Sequence, residues 1–123
     1  KVYAIDLQQK MLDTLKKRSK KQKLSERISL HKCPQNKLGL NLKFDFILAF
    51  WMVHEVPDQD KLLKEIYSML NADGKLLISE PLFHVSKKAF NVTCQKAHQI
   101  GFEIIDQPKI FFSHAVVLKK IGN

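Results

Sequence analysis

Five consecutive apolar residues at positions 46–50, Phe-Ile-Leu-Ala-Phe, place the strongest constraint on the fold of this chain. Successive side chains of a strand point to opposite faces, so a strand made of this run is apolar on both faces. Strands of that kind are typical of parallel sheets that helices cover on both sides. The segment Phe44–Phe50 therefore predicts a central parallel strand of an α/β fold.

Strand and helix patterns take turns along the rest of the chain. Strands are predicted at residues 2–5, 27–32, 44–50, 75–80, 102–105 and 110–118, where β-branched and aromatic residues concentrate or alternate with polar ones. Helices are predicted at residues 7–23, after the capping residue Asp58 and after the capping residue Ser86, with Gly74 and Gly101 as their ends. A short turn, Gln107-Pro108-Lys109, makes the last two strands an antiparallel hairpin. The order βαββαβαββ predicts a mostly parallel sheet with one antiparallel strand at or near an edge and helices on both faces.

Length and composition fit one globular domain spanning residues 1–123, with 45% hydrophobic and 27% charged residues. Apolar stretches are far shorter than the roughly 20 residues of a spanning helix, and no signal-peptide pattern opens the chain. A cytoplasmic protein without a membrane partner is therefore expected. Cys33 and Cys94 have no ligand spacing between themselves or with the histidines, so no metal site is expected.

The net charge of +9 is concentrated in a basic segment, residues 16–23, which contains five lysines and one arginine. Such a segment could bind RNA or another anionic surface. It could equally be the solvated end of a helix, where cations are stabilised by the helix dipole. No aromatic residues are interleaved to stack on bases, which favours the helix end over a nucleic-acid site.

Five motifs in order resemble one enzyme family. They are Val2-Tyr3-Ala4-Ile5-Asp6, the run from Phe44 to Phe50, His54-Glu55-Val56-Pro57-Asp58, the run from Leu70 to Ile78, and Gly101-Phe102-Glu103. Together they are similar to the Rossmann-like class I S-adenosylmethionine-dependent methyltransferases, and more narrowly to the group called methyltransferase type 11. Each motif alone is weak, but their order and spacing cover nearly the whole chain.

The resemblance implies that Asp6, which ends the first strand, accepts hydrogen bonds from the ribose hydroxyls of S-adenosylmethionine. Asp6 could also cap the helix that follows, and one carboxylate could do both. Leu7 and Met11 would then lie beside the adenine ring, although their helical spacing suits a place in the core equally well.

Cys33 and Pro34 stand where the family usually has an Asp and a small residue that contact the edge of the adenine. Cys33 is a poor acceptor for an amine, and Pro34 has no backbone N–H. Either Gln35 or Asn36 substitutes, or adenine binding is weakened, or the loop holds no ligand.

The segment after the central strand is expected to lie at the carboxyl ends of the strands, where open α/β sheets bind ligands. By resemblance, Phe50 and Trp51 would border the cofactor, whereas His54 and Glu55 would face the methyl acceptor as candidate catalytic residues. A histidine there could take the proton that methylation releases. The simpler alternative, that His54-Glu55 only shapes a turn, is favoured. A loop containing His84 could line the substrate pocket or simply connect two elements.

The family's first strand and its glycine-rich GxGxG loop have no counterpart here, because the chain starts at the family's second strand. That first strand lies between the strands that begin here at Val2 and Phe44, and its absence would leave backbone groups unpaired. The chain is therefore expected to be N-terminally incomplete. Another chain that supplies the strand, or a rearranged sheet, would be alternatives.

The resemblance implies an enzyme that transfers a methyl group from S-adenosylmethionine to an undetermined, small acceptor molecule. A non-catalytic scaffold protein that no longer binds the cofactor is one alternative. An RNA-binding or RNA-methylating module that uses the basic segment is another.

Overall fold

The computed structural model describes residues 1–121 of the chain. They form two compact units, the first spanning residues 1–39 and the second beginning at Leu40. The expectation of one domain over residues 1–123 stays a prediction.

The first unit is a short β-α-β arrangement. Strand β1 (Val2–Asp6) leads into helix α1 (Gln9–Lys21), and after a 3₁₀ turn at Ser25–Arg27 the chain returns as strand β2 (Ile28–Lys32). The two strands are parallel, with Val2 opposite Ile28 and Asp6 opposite Lys32. Their carboxyl ends therefore lie side by side.

Helix α1 ends two residues before the predicted position. The backbone N–H of Gln22 still donates to the carbonyl of Arg18 at 3.0 Å, but Lys23 has a positive φ of 59°. A helix cannot continue through a residue in that conformation.

The second unit contains one four-stranded sheet and two helices. Its elements are β3 (Phe44–Phe50), α2 (Gln59–Met69), β4 (Leu70–Pro81), α3 (Lys87–Ile100), β5 (Phe102–Asp106) and β6 (Ser113–Lys120). The strand order is β3-β4-β6-β5, in which β3 and β4 are parallel and β6 is antiparallel to both of its neighbours. The predicted α/β class and the single antiparallel strand near an edge are confirmed.

Helices α2 and α3 cover the same face of this sheet. Residues 114, 116, 118 and 120 alternate along β6 and so share one face. Phe90 of α3 stacks on His114, and the Lys120 ammonium lies over the ring of Tyr67 of α2. The predicted covering of both faces is therefore not seen within this unit, and the strands form two sheets instead of one.

The core of the second unit lies between its sheet and these helices. Its most deeply buried apolar side chains are Val53, Leu63, Ile66, Leu70, Leu76, Ile78, Phe102, Val116 and Leu118. Lys120 is buried beside them and donates to the carbonyl of Leu70 at 2.7 Å. Burial, and secondarily the positive charge of Lys43, lowers the pKa of Lys120.

The predicted turn at Asn71-Ala72-Asp73-Gly74 is a bulge in β4, and Gly74 does not end helix α2. The helix ends at Met69, because Leu70 already has extended backbone angles and pairs with Phe44. The register then shifts, so that Phe46 lies opposite Lys75. A Cβ at Gly74 would lie 2.9 Å from the carbonyl oxygen of Asn71, which is why only glycine fits this bulge.

Candidate functional site

Asp6 lies at the carboxyl edge of the first unit and is half-buried. One of its carboxylate oxygens, Oδ1, accepts the backbone N–H of Gln8 at 2.8 Å, and its carbonyl oxygen accepts the N–H of Cys33 at 3.0 Å. Gln8 is the N-cap residue of α1, so Asp6 forms a local turn before the helix and caps none of its first turn. No other hydrogen bond to the carboxylate occurs within the described residues, which leaves Oδ2 available to a ligand.

Leu7 and Met11 follow Asp6, and both side chains are about half exposed. Their exposure means that the alternative, in which they belong to the core, is wrong. On α1 itself, the buried side chains are Leu12 and Ser19. The place of Leu7 and Met11 beside an adenine ring stays a prediction. The two side chains provide apolar surface next to the available oxygen of Asp6.

Cys33 and Pro34 begin the loop that follows β2, directly beside Asp6. The N–H of Cys33 is already used by Asp6, and Pro34 has none to offer. His31 donates from Nε2 to the carbonyl of Leu38 at 3.0 Å and so closes the loop. The loop therefore begins beside Asp6, whereas its place at the edge of an adenine, and the alternative that Gln35 or Asn36 supplies the hydrogen-bonding side chain there, stay predictions.

The basic segment lies on the second half of α1 and just beyond it. All six of its cationic side chains are exposed, and no carboxylate lies within 4.0 Å of any of them in residues 1–121. Three of the cations stand in the last turn of the helix, as the dipole favours. Eleven of the 21 Lys and Arg residues, but three of the 12 Asp and Glu residues, lie in positions 1–39.

Phe50 and Trp51 lie at the carboxyl edge of the second unit, where β3 and β4 end and the antiparallel strand β6 begins. Their rings are stacked, with centroids 5.0 Å apart and planes 9° from parallel. The Trp51 backbone N–H donates to the carbonyl of Ser79 at 2.7 Å, and its indole Nε1–H donates to Ser113 Oγ at 2.8 Å. Strand β4 therefore holds the backbone of Trp51 and β6 holds its indole, and the place of Phe50 and Trp51 beside the cofactor stays a prediction.

Trp51 has a positive φ of 55°, which is unfavourable for a residue with a side chain. We expect the variant Trp51→Gly to be more stable than Trp51→Ala by about 1 kcal/mol, because glycine adopts this conformation without strain. Both variants lose the same ring, so the difference between their free energies of unfolding reports the backbone strain alone. Urea unfolding followed by circular dichroism measures it.

Met52, the next residue, is the matched control because its φ is −129°. There the usual order should hold, with the glycine variant less stable than the alanine variant by about 0.5–1 kcal/mol. The same order at both positions would show that Trp51 is not strained.

His54 lies in a 3₁₀ turn, Val53–Glu55, whose first residue is fully buried. Its Nδ1 lies 3.3 Å from both carboxylate oxygens of Glu80. Glu80 is only 1% exposed, whereas the side chain of Glu55 is 72% exposed and its nearest oxygen is 3.9 Å from His54 Nε2. His54 is thus paired with Glu80, whereas the side chain of Glu55 points largely into solvent, and the place of His54 and Glu55 on the acceptor side stays a prediction.

Glu80 was not among the candidate site residues that the sequence suggested. Its signal was the alternation Leu76, Ile78, Glu80 along one face of a predicted strand. A carboxylate on a core-facing position must have a partner, since an unpaired buried charge is very costly. His54, in the connection that follows β3, was the available candidate for that partner.

His98, His114 and Cys94 have structural roles. His98 donates from Nδ1 to the carbonyl of Phe102 at 3.2 Å, and His114 donates from Nε2 to the carbonyl of Val85 at 3.1 Å. Burial raises the pKa of the Cys94 thiol, which keeps the thiol protonated and unreactive. Cys94 and His98 line a cleft near β5 that contains none of the predicted site residues.

Two further features of residues 1–121 bear on function. No group of three or more His, Cys, Asp or Glu side chains in them is arranged to hold a metal ion. None of their helices combines the length and the apolar character that crossing a membrane requires.

The sequence and the structure resemble known proteins. A family model described as Methyltransferase domain matches residues 1–78. The demethylmenaquinone methyltransferase of Lactobacillus johnsonii is 38% identical over 80 residues, which are 64% of this chain and 33% of that protein. The chain thus spans about a third of the length of this curated relative.

Solved structures of low sequence identity share the fold. The ribosomal protein L11 methylase from Lactobacillus delbrueckii subsp. bulgaricus has a TM-score of 0.79 and 18% identity, over 98% of this chain and 57% of its own. The glycopeptide N-methyltransferase MtfA, in complex with S-adenosyl-L-methionine, has a TM-score of 0.78 and 15% identity, over 98% and 72%. The family model covers more than half of the 123 residues of this chain. The chain therefore belongs to the methyltransferase-domain family, and its fold is the Rossmann-like fold of class I S-adenosylmethionine-dependent methyltransferases.

Proposed function

We propose that this protein transfers the methyl group of S-adenosylmethionine to a small acceptor molecule. The observation that carries the proposal is Asp6, a half-buried carboxylate with one available oxygen at the carboxyl edge of two parallel strands. Family membership supports it independently, because S-adenosylmethionine is the cofactor of this family.

The residues around Asp6 fit the ribose end of the cofactor. A carboxylate offers about four lone-pair positions, and the Gln8 N–H uses one of them, so two ribose hydroxyls can still be accepted. Leu7 and Met11 add apolar surface for the adenine ring. Cys33 and Pro34 fit the edge of the adenine less well, since neither offers a strong hydrogen-bonding group.

When bound, the cofactor supplies a methyl group attached to a positively charged sulfonium. The contribution of this chain is to bind and orient, because alignment of the reacting groups accounts for much of the rate of such a reaction. Asp6 would fix the ribose, and His54 and Glu55 remain the predicted residues on the acceptor side.

We expect Asp6→Asn to weaken the binding of S-adenosylhomocysteine, the demethylated product, at least about tenfold. The reason is that hydrogen bonds to a charged group are worth about 1.5–3 kcal/mol, and 1.4 kcal/mol is a factor of ten in affinity. The asparagine oxygen can still accept the Gln8 N–H, so the fold should be retained. Titration calorimetry of the full chain measures the affinity.

Asp13→Asn is the matched control, because Asp13 is an exposed acid on α1 whose Oδ1 accepts from the Gln9 side chain. It should leave the affinity unchanged. No binding by the intact protein at millimolar ligand would contradict the proposal. If Asp6→Ala unfolds the protein while Asp6→Asn binds normally, Asp6 serves the local turn alone.

A non-catalytic scaffold protein is the second candidate function, and Cys33-Pro34 is the observation that favours it. In that case S-adenosylhomocysteine would not bind even to the intact protein. An RNA partner for the basic segment stays a prediction, as does location in the cytoplasm.

A further inference from the structure

The second unit carries a connected row of aromatic side chains along its carboxyl edge. The aromatic row consists of Phe50, Trp51, Phe83, His84 and His54 in order of contact. Neighbouring ring centroids are 5.0, 5.4, 4.9 and 6.0 Å apart, so every member touches the next. Such contacts between rings are favourable beyond the area that they bury, and they preorganise the surface.

Much of this row faces solvent. Phe50 is half exposed, and Phe83 is 62% exposed. Phe111 and Phe112 are also exposed, and the N–H of Leu82 donates to the carbonyl of Phe112 at 2.9 Å. A cluster of exposed aromatic side chains such as this row marks a binding site, since isolated exposed hydrophobic residues are ordinary but clusters are not.

The backbone around the patch is held in an unfavourable conformation at two points. Trp51 and Phe112 both have positive φ values, 55° and 53°, although neither is glycine. Strain of this sort persists only where the surrounding structure imposes it, and it concentrates at ligand sites. Ser79, which pairs with Phe50, adds a buried hydroxyl that has no hydrogen-bond partner within the described residues.

The His54–Glu80 pair ends the row and fixes the tautomer of the imidazole. A carboxylate only accepts hydrogen bonds, so Nδ1 of His54 must carry the proton that Glu80 binds. In the neutral ring Nε2 then has a free lone pair. Its nearest acidic atom, Glu55 Oε1, is 3.9 Å away, which is beyond hydrogen-bonding distance.

We propose that the aromatic row binds the methyl acceptor, that the acceptor is a planar aromatic compound with an ionisable hydroxyl group, and that His54 Nε2 takes the proton of that hydroxyl. The proposal rests on the proposed function. The acceptor's O–H bond breaks, its proton bonds to Nε2, and the electron pair stays on the oxygen as a phenolate. Glu80, a positioning residue, balances the charge of the resulting imidazolium.

The chemistry of the row selects this class of acceptor. Flat rings stack on flat rings, and a phenol titrates near pH 10, within reach of an imidazole base, unlike an aliphatic alcohol.

Trp51 is the single tryptophan of the sequence, so tryptophan emission, excited selectively over that of the two tyrosines, reports on this site alone. The full chain is titrated with para-butylphenol and with para-butylanisole, the same ring and tail with the hydroxyl methylated. We expect both to change the Trp51 emission and the phenol to bind at least about tenfold more tightly, since it alone donates a hydrogen bond. Phe83→Ala should weaken both about fivefold or more, and Ile105→Ala, an exposed apolar residue on β5, should weaken neither.

His54→Phe separates the base from the aromatic surface, because it keeps a ring and removes the lone pair. It should abolish the preference for the phenol and leave the affinity for the anisole unchanged. Because this variant leaves Glu80 buried without a partner, the double variant His54→Phe with Glu80→Gln is measured as well. Heteronuclear NMR of the imidazole nitrogens should show Nδ1 protonated and Nε2 unprotonated in the wild type.

Equal affinities for phenol and anisole, an unaltered preference in His54→Phe, or the opposite tautomer would each overturn the proposal. Sedimentation could also show that the protein dimerises. If dimer formation alone accounted for the change in Trp51 emission, that result too would overturn the proposal. Binding of S-adenosylhomocysteine without binding of either aromatic probe would overturn this inference and leave the proposed function standing. Binding of the phenol without S-adenosylhomocysteine would overturn the proposed function, and with it the identification of the bound phenol as a methyl acceptor.

Discussion

Replacing Phe102 by alanine should lower the free energy of unfolding by about 3–5 kcal/mol, the range typical of deleting a buried phenylalanine. Phe102 is fully buried at the start of β5, and its ring meets the ring of Tyr67 at 5.2 Å and nearly at right angles. Tyr67 is held in turn by the ammonium of Lys120. Because these neighbours belong to α2 and β6, they cannot collapse into the cavity that the substitution leaves.

Phe111→Ala is the matched control for this prediction. It deletes the same ring at a position that is 81% exposed, so stability should change by no more than about 0.5 kcal/mol. Urea titration of both variants, followed by circular dichroism, gives the comparison. Losses of similar size at the two positions would mean that Phe102 does not lie in the core.

Local chemistry made several elements of the fold predictable from the sequence. Asp58 and Ser86 were identified as helix caps, and their side chains accept the N–H groups of Lys61 and Ala89, both at 3.0 Å. Gly101 was identified as the end of a helix, and α3 ends there. Each of these signals depends on a few consecutive residues, which is why a single sequence carries them.

Pairing between distant segments was harder to predict. Asn71 to Gly74 has the composition of a turn, yet these residues form a bulge because Leu70 pairs with Phe44 across the sheet. Strand β6 begins at Ser113 and not at residue 110, because its first partner is Pro81 at the end of β4. Neither outcome follows from local propensity, since the partner lies 26 or more residues away.

The candidate site also contains features that a single sequence carries and features that depend on distant segments. Asp6 could be named as a candidate from the sequence, because it ends a strand and precedes a helix, and its ribose role stays a prediction beside the local turn that it forms. The partner of His54 could not be named, because Glu55 is its neighbour in sequence while Glu80 is its neighbour in space. The buried carboxylate of Glu80 holds Nδ1 of the histidine, which the exposed and more distant carboxylate of Glu55 does not.

Gly101→Ala should lower the free energy of unfolding by about 2–4 kcal/mol, from backbone strain together with overpacking. The backbone of Gly101 has φ = 127°, and its N–H donates to the carbonyls of Ala97 and His98 at the end of α3. An added Cβ would lie 3.1 Å from Cε2 and 3.2 Å from the hydroxyl oxygen of Tyr67. That ring cannot retreat, because it is packed against Phe102.

Gly39 tests whether strain alone explains the loss. It also has a positive φ, 74°, but a Cβ there would lie 3.5 Å from His31 Nε2, an ordinary contact. Gly39→Ala should therefore cost only about 1–2 kcal/mol, the backbone part of the penalty. If both variants lose the same stability in urea, the contact with Tyr67 contributes nothing. A larger loss at Gly101 would show that the contact of the added Cβ with the Tyr67 ring adds to the backbone part of the penalty.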